Sequence, residues 1–202
     1  MDFFSLDPRE LPTTTLWRVQ YPDSQTAFDS SASLTARDTK TIYTDFDDIF
    51  VDFGGAVEDH LWWPERRPSI FISLFANRWH AENWALRWSD DHGGRECTVY
   101  VISACALEGS YVYQAEELRR AMCLQVPAEA EASILNEYLV AHRIPAEAIL
   151  GCRTTEDIRR GECYLLSPRR ILGARNRIFD RSAERRSQEA SVSWIVPRGI
   201  GS

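Results

Sequence analysis

Three polar residues interrupt apolar stretches of this sequence and are its strongest candidates for chemistry: Arg18, Ser73 and Glu137. Arg18 lies within "TTLWRVQ", Ser73 closes "SIFIS", and Glu137 opens "EYLVAHRI". A charged group in a strand must reach water, find a partner or face a cleft, because burial without a partner is costly. Each residue alone is better explained by a place on the solvated surface. Together, a guanidinium, a hydroxyl and a carboxylate facing one cleft could bind or transform a ligand.

Other familiar chemistries find little support in the residue pattern. No two histidines have the i, i+4 spacing of a helical zinc site, and no Cys-x-x-Cys pair occurs. A cation could bind Asp45, Asp47 and Asp48, but their spacing favours the solvent-exposed face of an amphipathic helix. Gly-rich nucleotide loops and the Gly-x-Ser-x-Gly elbow are also missing from the sequence. We therefore predict no metal site.

The elements that position the three residues follow from hydrophobic spacing. Strands are predicted at 14–20, from Pro68 to Ser73, at 97–105, at 137–144, in "AILGCR" and near 164–166. Helices are predicted over 45–61, from Asn77 to Gly93 and over 115–122, with Gly54-Gly55 weakening or breaking the first. Strands outnumber helices and the two types are segregated along the chain. The pattern therefore predicts the α+β class.

Composition and charge set limits on the class of protein. A length of 202 residues suits one domain, and no apolar run is long enough to span a membrane. The acidic, proline-containing N-terminus is unlike a signal peptide, so we expect an intracellular, cytoplasmic protein. Residues 1–150 carry 12 Lys+Arg against 24 Asp+Glu, whereas 151–202 carry 11 against 6. Only the basic end would attract a nucleic-acid backbone.

In order and spacing, the three segments resemble ADP-ribosyltransferases of the arginine–serine–glutamate type. The likeness is greatest to the pierisin-like branch and to a related domain of fungal proteins. "LWR", 16–18, matches the family's first strand, and "PDS", 22–24, fits the turn that follows it in the pierisin-like branch. "SIFIS", 69–73, matches the second block, a Ser-x-Phe-Val/Ile-Ser strand before a helix. Glu137, Ile144 and Ile149 reproduce the spacing of the third.

The resemblance implies a fold and a set of roles. It implies a split antiparallel sheet around an NAD cleft with flanking helices, over residues 14–172. The composition of the arginine-rich tail, 173–202, which has few apolar residues, predicts a mobile segment or a solvated helix. Arg18 would bind the NAD diphosphate, Ser73 would order the pocket, and Glu137 would bind the ribose 2′-hydroxyl and stabilise the cation left by nicotinamide. Ser69, Phe71 and Trp84 would complete the NAD surface. The implied reaction is ADP-ribosyl transfer or NAD glycohydrolysis.

Departures from the family pattern concern the acceptor. Leu74 and Phe75 replace two hydroxyls that usually follow the second-block serine, and Leu135 stands where a Gln or Glu usually engages the acceptor. These three residues predict an apolar rim on the acceptor side, facing a protein, a nucleic acid or water. A catalytically decayed module that binds a protein or nucleotide is the alternative. The segment "HLWW", 60–63, is expected to line the cleft or to pack in the core.

Overall fold

A computed structural model describes residues 2–43, 49–62 and 67–162 of the chain. The described residues form nine strands in two antiparallel sheets: β1 (Thr15–Gln20), β2 (Ala27–Phe28), β3 (Leu34–Thr35), β4 (Phe71–Phe75), β5 (Thr98–Ser103), β6 (Val112–Gln114), β7 (Glu137–Ala141), β8 (Arg143–Ile144) and β9 (Ile149–Thr154). The main sheet has the order β6-β7-β4-β1-β5-β9, and the small sheet has the order β2-β3-β8. Among the described residues, no helix is long and apolar enough to cross a membrane.

Within the described ranges, five α-helices flank the sheets: α1 (Gly54–Leu61), α2 (Arg78–Asp91), α3 (Ala115–Met122), α4 (Ala128–Ile134) and α5 (Thr155–Arg159). Apolar residues of α1 and α3 pack with β4, β6 and β7, whereas those of α2 pack with β1, β4 and β5. A third cluster joins the main sheet to Leu34 and Ile144 of the small sheet. The predicted α+β class is confirmed.

Strand β4 alternates between these clusters. Phe71 and Phe75 belong to the two helix-side clusters, whereas Ile72 and Leu74 pack in the cluster shared with the small sheet. Because side chains alternate along a strand, Ser73 lies between the two phenylalanines on the helix side. The prediction that the strand ends at Ser73 is wrong. It continues to Phe75, because Leu74 and Phe75 still pair with Tyr138 and Glu137 of β7.

The main sheet is nearly divided between β1 and β4. Strand β1 pairs with β5 along all six of its residues, but with β4 only through Trp17 and Phe75. Beyond that pair the two strands separate, because no further residues of β1 and β4 are in register. Three strands therefore lie on each side of a gap, and Arg18 stands at its edge.

The first predicted helix, 45–61, is helical throughout its described part, from Ile49. A π-helical turn at Ile49–Phe53 leads into α1 at Gly54, so the helix changes type at the glycine pair but is not interrupted there. Gly54 packs closely on the end of α3, since a Cβ there would lie 3.3 Å from Leu124 Cδ2. The acidic cluster at 45–48 lies outside the described residues.

Most of the remaining predicted helices and strands are present in the structure, which also has three strands that were not predicted. Asn77 caps α2 by accepting a hydrogen bond from the His80 N–H, and α3 has the predicted bounds. Strands β7, β8 and β9 occupy the predicted stretches, whereas β2, β3 and β6 are additional strands of two or three residues. The predicted strand at 164–166 and the tail, 173–202, lie outside the described residues.

Candidate functional site

Arg18 spans the gap between β1 and β4 with its side chain. Its Nη1 donates to the backbone oxygen of Ser73 at 3.1 Å, and its Nη2 donates to Ser24 Oγ at 2.8 Å and Thr26 Oγ1 at 2.9 Å. The residue is only 8% exposed, and its Nε has no hydrogen-bond partner among the described residues. Burial lowers the pKa of Arg18, and the nearby Tyr21 and Glu137 oppose that effect. The guanidinium is thus buried, with hydrogen bonds from both Nη atoms and none from Nε to any described residue.

Ser73 meets a histidine that comes from α1. His60 Nε2 lies 2.8 Å from Ser73 Oγ, and His60 Nδ1 lies 2.8 Å from Ser69 Oγ. The ring also contacts Phe71 edge-on, with a centroid separation of 5.6 Å. Burial and the charge of Arg18 lower the pKa of His60 to about 3. The imidazole is therefore neutral at ordinary pH and holds two serines at once.

Glu137 lies at the start of β7, diagonal to Ser73 on the same face of the sheet. The residue is fully buried, and neither carboxylate oxygen has a hydrogen-bond partner among the described residues. Burial raises the pKa of Glu137, while the nearby Ser73 hydroxyl, the Arg18 charge and the Ser133 hydroxyl each lower it. An unpartnered buried carboxylate is unusual in a folded protein, so it is a strong candidate for a group that meets a ligand.

Two cavities adjoin at His60. The first, about 80 Å³, lies in the gap beside Arg18 and is also lined by Ser73, Gln25 and Trp84. The second, about 570 Å³, lies along α1 and is lined by Ser69, Asp59 and Tyr43 among others. Ligand sites in proteins typically have volumes of about 300–1,000 Å³, so the second cavity falls in that range and the first does not.

The structure brings together most of the predicted site residues. Arg18, Ser73, Phe71 and Trp84 line the smaller cavity, while Ser69 lines the larger one. Glu137 lies behind Ser73, near enough for the Ser73 hydroxyl and the Arg18 charge to act on its pKa.

The three residues predicted to form the acceptor rim do not lie together on the surface. Leu135 is 55% exposed just before β7, as a rim residue would be. Leu74 is fully buried in the cluster facing the small sheet, because it points away from the helix side of β4. Phe75 is 3% exposed and lines the smaller cavity, so it is an inner wall residue. The expectation that Leu74 and Phe75 form a rim with Leu135 is wrong.

The sequence pattern predicts a place in the cleft or core for the segment "HLWW", 60–63, but no separate role for His60. Within "HLWW", His60 reaches the site, whereas Trp62 is 43% exposed and Trp63 lies outside the described residues. Helical spacing could have predicted that His60 is buried, because it falls on the same face of the helix as the buried Phe53 and Val57. A polar ring on the buried face of a helix needs a polar partner, and Ser73 supplies it.

The chemistry available to the site is that of a cation, a neutral imidazole, two hydroxyls and a carboxylate. The guanidinium suits phosphate oxygens, and the carboxylate suits a hydroxyl or a developing positive charge. Within the described ranges, no group of three or more His, Cys, Asp or Glu side chains could hold a metal ion.

Comparison with known proteins identifies a family and shows distant likeness to solved structures. A family described as a domain of unknown function, DUF7587, matches residues 11–158. No curated protein matches the chain. Among solved structures, EcPltA is 16% identical, with 71% of this chain and 76% of that chain covered and a TM-score of 0.43.

Proposed function

The chain belongs to the DUF7587 family, and we propose that it acts on NAD by ADP-ribosyl transfer, or by glycohydrolysis when water is the acceptor. The observation that carries the proposal is the meeting of Arg18, Ser73 and Glu137, which are 55 and 64 residues apart in sequence, around one gap in the sheet. Convergence of separate strands on one place is expected of a site. Their identity and order match the arginine–serine–glutamate pattern that the sequence resembles.

The unsatisfied groups of the site fit the parts of an NAD molecule. Arg18 Nε is a buried donor without a partner in the described part of the chain, and a diphosphate oxygen would accept its hydrogen bond. The two Glu137 oxygens are buried acceptors that no described residue engages, and a ribose hydroxyl would donate to them. The cavity of about 570 Å³ beside His60 has room for the larger part of a dinucleotide. The donor and acceptor sets therefore match this substrate.

The proposed reaction breaks the bond between the ribose C1′ and the nicotinamide ring nitrogen. Nicotinamide leaves with the bonding electron pair, and the ribose becomes an oxocarbenium-like cation. Glu137 in its ionised form stabilises that cation and holds the ribose hydroxyl. Ser73, itself held by His60, orients the Glu137 carboxylate. An acceptor nucleophile, or water, then bonds to C1′ and gives up a proton.

A binding module without turnover is the second candidate, and the state of Arg18 favours it. Three acceptors within the protein already engage its two Nη groups, and the cavity beside it is only about 80 Å³. Such a site could hold a nucleotide in the larger cavity without admitting a ribose to Glu137. Nicotinamide release separates the two candidates.

Substitution of Glu137 by glutamine tests the proposed reaction. Glu137→Gln keeps the shape of the side chain but removes its charge, and losing one such electrostatic contact typically costs about 10²–10³ in rate. We expect nicotinamide release from NAD to fall by that factor, while the dissociation constant for NAD changes far less.

The matched control is Glu147→Gln, a glutamate outside the site on the 3-10 turn at Ala146–Ala148. It should release nicotinamide at the wild-type rate. A wild-type protein that binds NAD but releases no more nicotinamide than Glu137→Gln is the binding module instead.

A further inference from the structure

Ser69 occupies a position that the proposed reaction does not require. It precedes β4 by two residues, on the far side of the His60 ring from Ser73. Its Oγ lies 2.8 Å from His60 Nδ1 and accepts the backbone N–H of Phe71 at 3.0 Å. The side chain of His60 is thus fixed at both ring nitrogens, with Ser69 on one side and Ser73 on the other.

The state of the ring decides which serine donates. A neutral imidazole has one N–H and one bare nitrogen, so it donates one of these hydrogen bonds and accepts the other. In the first arrangement, Ser69 donates to Nδ1 and Nε2–H donates to Ser73, whose hydroxyl proton stays free. In the second, Nδ1–H donates to Ser69 and the Ser73 proton is held by Nε2.

Hydrogen-bond satisfaction separates the two arrangements. In the first, the Ser69 proton has an acceptor in Nδ1, and the Ser73 proton can point toward the buried Glu137 carboxylate, which has no hydrogen-bond partner among the described residues but whose pKa the nearby Ser73 hydroxyl lowers. In the second, Ser69 Oγ accepts twice and its proton has no acceptor in the described part of the chain, while Ser73 cannot donate to Glu137. Leaving buried polar groups unpaired is costly, so the first arrangement is the stable one.

The geometry points to Ser69 as a positioning residue: by donating to His60 Nδ1 it places the ring proton on Nε2, which turns the Ser73 hydroxyl toward Glu137. The tautomer of a histidine is set by the hydrogen bond made by its other nitrogen. This inference rests on the proposed function for its effect on turnover, but the tautomer of His60 is independent of any reaction. Ser69 also lines the larger cavity, and this inference gives it a second role, the support of Ser73 through His60.

Nitrogen-15 NMR of the full chain labelled at histidine tests the inference. Long-range proton–nitrogen spectra identify which ring nitrogen carries the proton, with His80, His92 and His142 as internal references. We expect the His60 proton on Nε2 in the wild type. In Ser69→Ala, Nδ1 loses its donor, and the proton should move wholly or partly to Nδ1.

Turnover gives the second readout. Ser69→Ala should lower kcat for nicotinamide release about tenfold, the rate equivalent of one hydrogen bond, with the dissociation constant for NAD changed less than twofold. Ser69→Thr keeps a hydroxyl and should restore both kcat and the Nε2 proton. Ser33→Ala, at a buried serine that accepts from Arg143 instead, is the matched control and should change neither.

The outcomes are distinct. A wild-type proton on Nδ1, or a Ser69→Ala spectrum with the proton still on Nε2, overturns the inference. If the wild type releases no nicotinamide, the proposed reaction fails, and the tautomer of wild-type His60 alone decides the role of Ser69. If Ser69→Ala does not fold, the wild-type spectrum and Ser69→Thr still decide it.

Discussion

Arg18 joins two functions in one side chain. It takes the place of backbone pairing between β1 and β4 by donating to the Ser73 backbone oxygen, and it leaves Nε free in the gap. A lysine cannot do both, since it lacks the planar fork of a guanidinium. Structural and ligand-binding effects of a substitution at Arg18 must therefore be separated by experiment.

Binding of NAD should depend on the shape of the Arg18 side chain as well as on its charge. Arg18→Ala is expected to weaken binding, and Arg18→Lys to restore it only in part, because lysine provides a point charge without bidentate geometry. Calorimetric titration with NAD measures the dissociation constants. Arg87→Ala, on the exposed side of α2, is the control that should bind like the wild type. Equal affinity in all the variants would remove Arg18 from the binding site.

His60 should make stability depend on pH. Burial lowers its pKa to about 3 in the folded state, against 6.5 for an ordinary histidine. Between these values the unfolded chain binds a proton that the folded chain does not, so protonation favours unfolding. The free energy of unfolding contributed by this group is complete above pH 6.5 and falls with decreasing pH, by up to about 1.4 kcal/mol per pH unit.

Urea unfolding of the wild type and His60→Gln between pH 4 and 7 measures this dependence. The difference between the two proteins isolates His60, because Glu137 acts in the opposite sense in both. Burial raises the pKa of Glu137, so that group favours the folded state at acid pH and loses this effect as pH rises above 4.5. Parallel pH profiles for the two proteins would show that His60 titrates normally in the folded state.

At the scale of elements, the sequence predicts long periodic segments better than short ones. The strand "CTVYVIS" is indicated by the alternation of its side chains, and the helix after Asn77 is indicated by that capping residue. The strand β6, with three residues, is too short for a period, and its pairing with β7 is a contact distant in sequence. A hydroxyl that follows three apolar residues predicts a strand end at Ser73. The pairing with β7, which a local pattern does not contain, continues the strand past it.

The glycines of α1 offer a test at this scale. Gly55 has helical backbone, and a Cβ there would meet nothing within 4 Å. Gly55→Ala should therefore stabilise the fold by about 0.4–1 kcal/mol, because it restricts the unfolded chain at no steric cost. Urea unfolding midpoints measure the change. Gly94→Ala is the contrasting variant and should destabilise by about 1–2 kcal/mol, since Gly94 has a φ of +78°. A destabilised Gly55→Ala would mean that this turn of α1 is strained.

At the scale of the whole molecule, charge is distributed unevenly along the chain. Residues 1–150 are acidic overall and 151–202 are basic, so the body and the C-terminal part would attract different partners. The residues that converge on the gap come from segments far apart in sequence, and single-sequence reasoning placed them together only through a family resemblance. The family resemblance does not identify the acceptor. Of the three residues predicted to form the acceptor rim, Leu135 alone is exposed.

Removal of residues 173–202 separates the acceptor classes. If a nucleic acid is the acceptor, the truncated chain should lose its modification, because the five arginines of 174–191 would supply most phosphate contacts. If water or a protein is the acceptor, nicotinamide release should persist at the full rate. Radiolabelled ADP-ribose on oligonucleotides and proteins, measured at several salt concentrations, gives the readout. Nucleic-acid labelling that survives truncation with its salt dependence intact would exclude the tail as the binding segment.

The single residue pair between β1 and β4 also has a mechanical consequence. The ladders of the two three-strand halves of the main sheet meet only at Trp17 and Phe75, and the Arg18 side chain bridges the halves beside that pair. Apolar side chains from both halves also pack together against the small sheet and against α2. Enlarging the 80 Å³ cavity between β1 and β4 would therefore disturb side-chain packing and the Arg18 hydrogen bonds, while the ladder within each half stays intact.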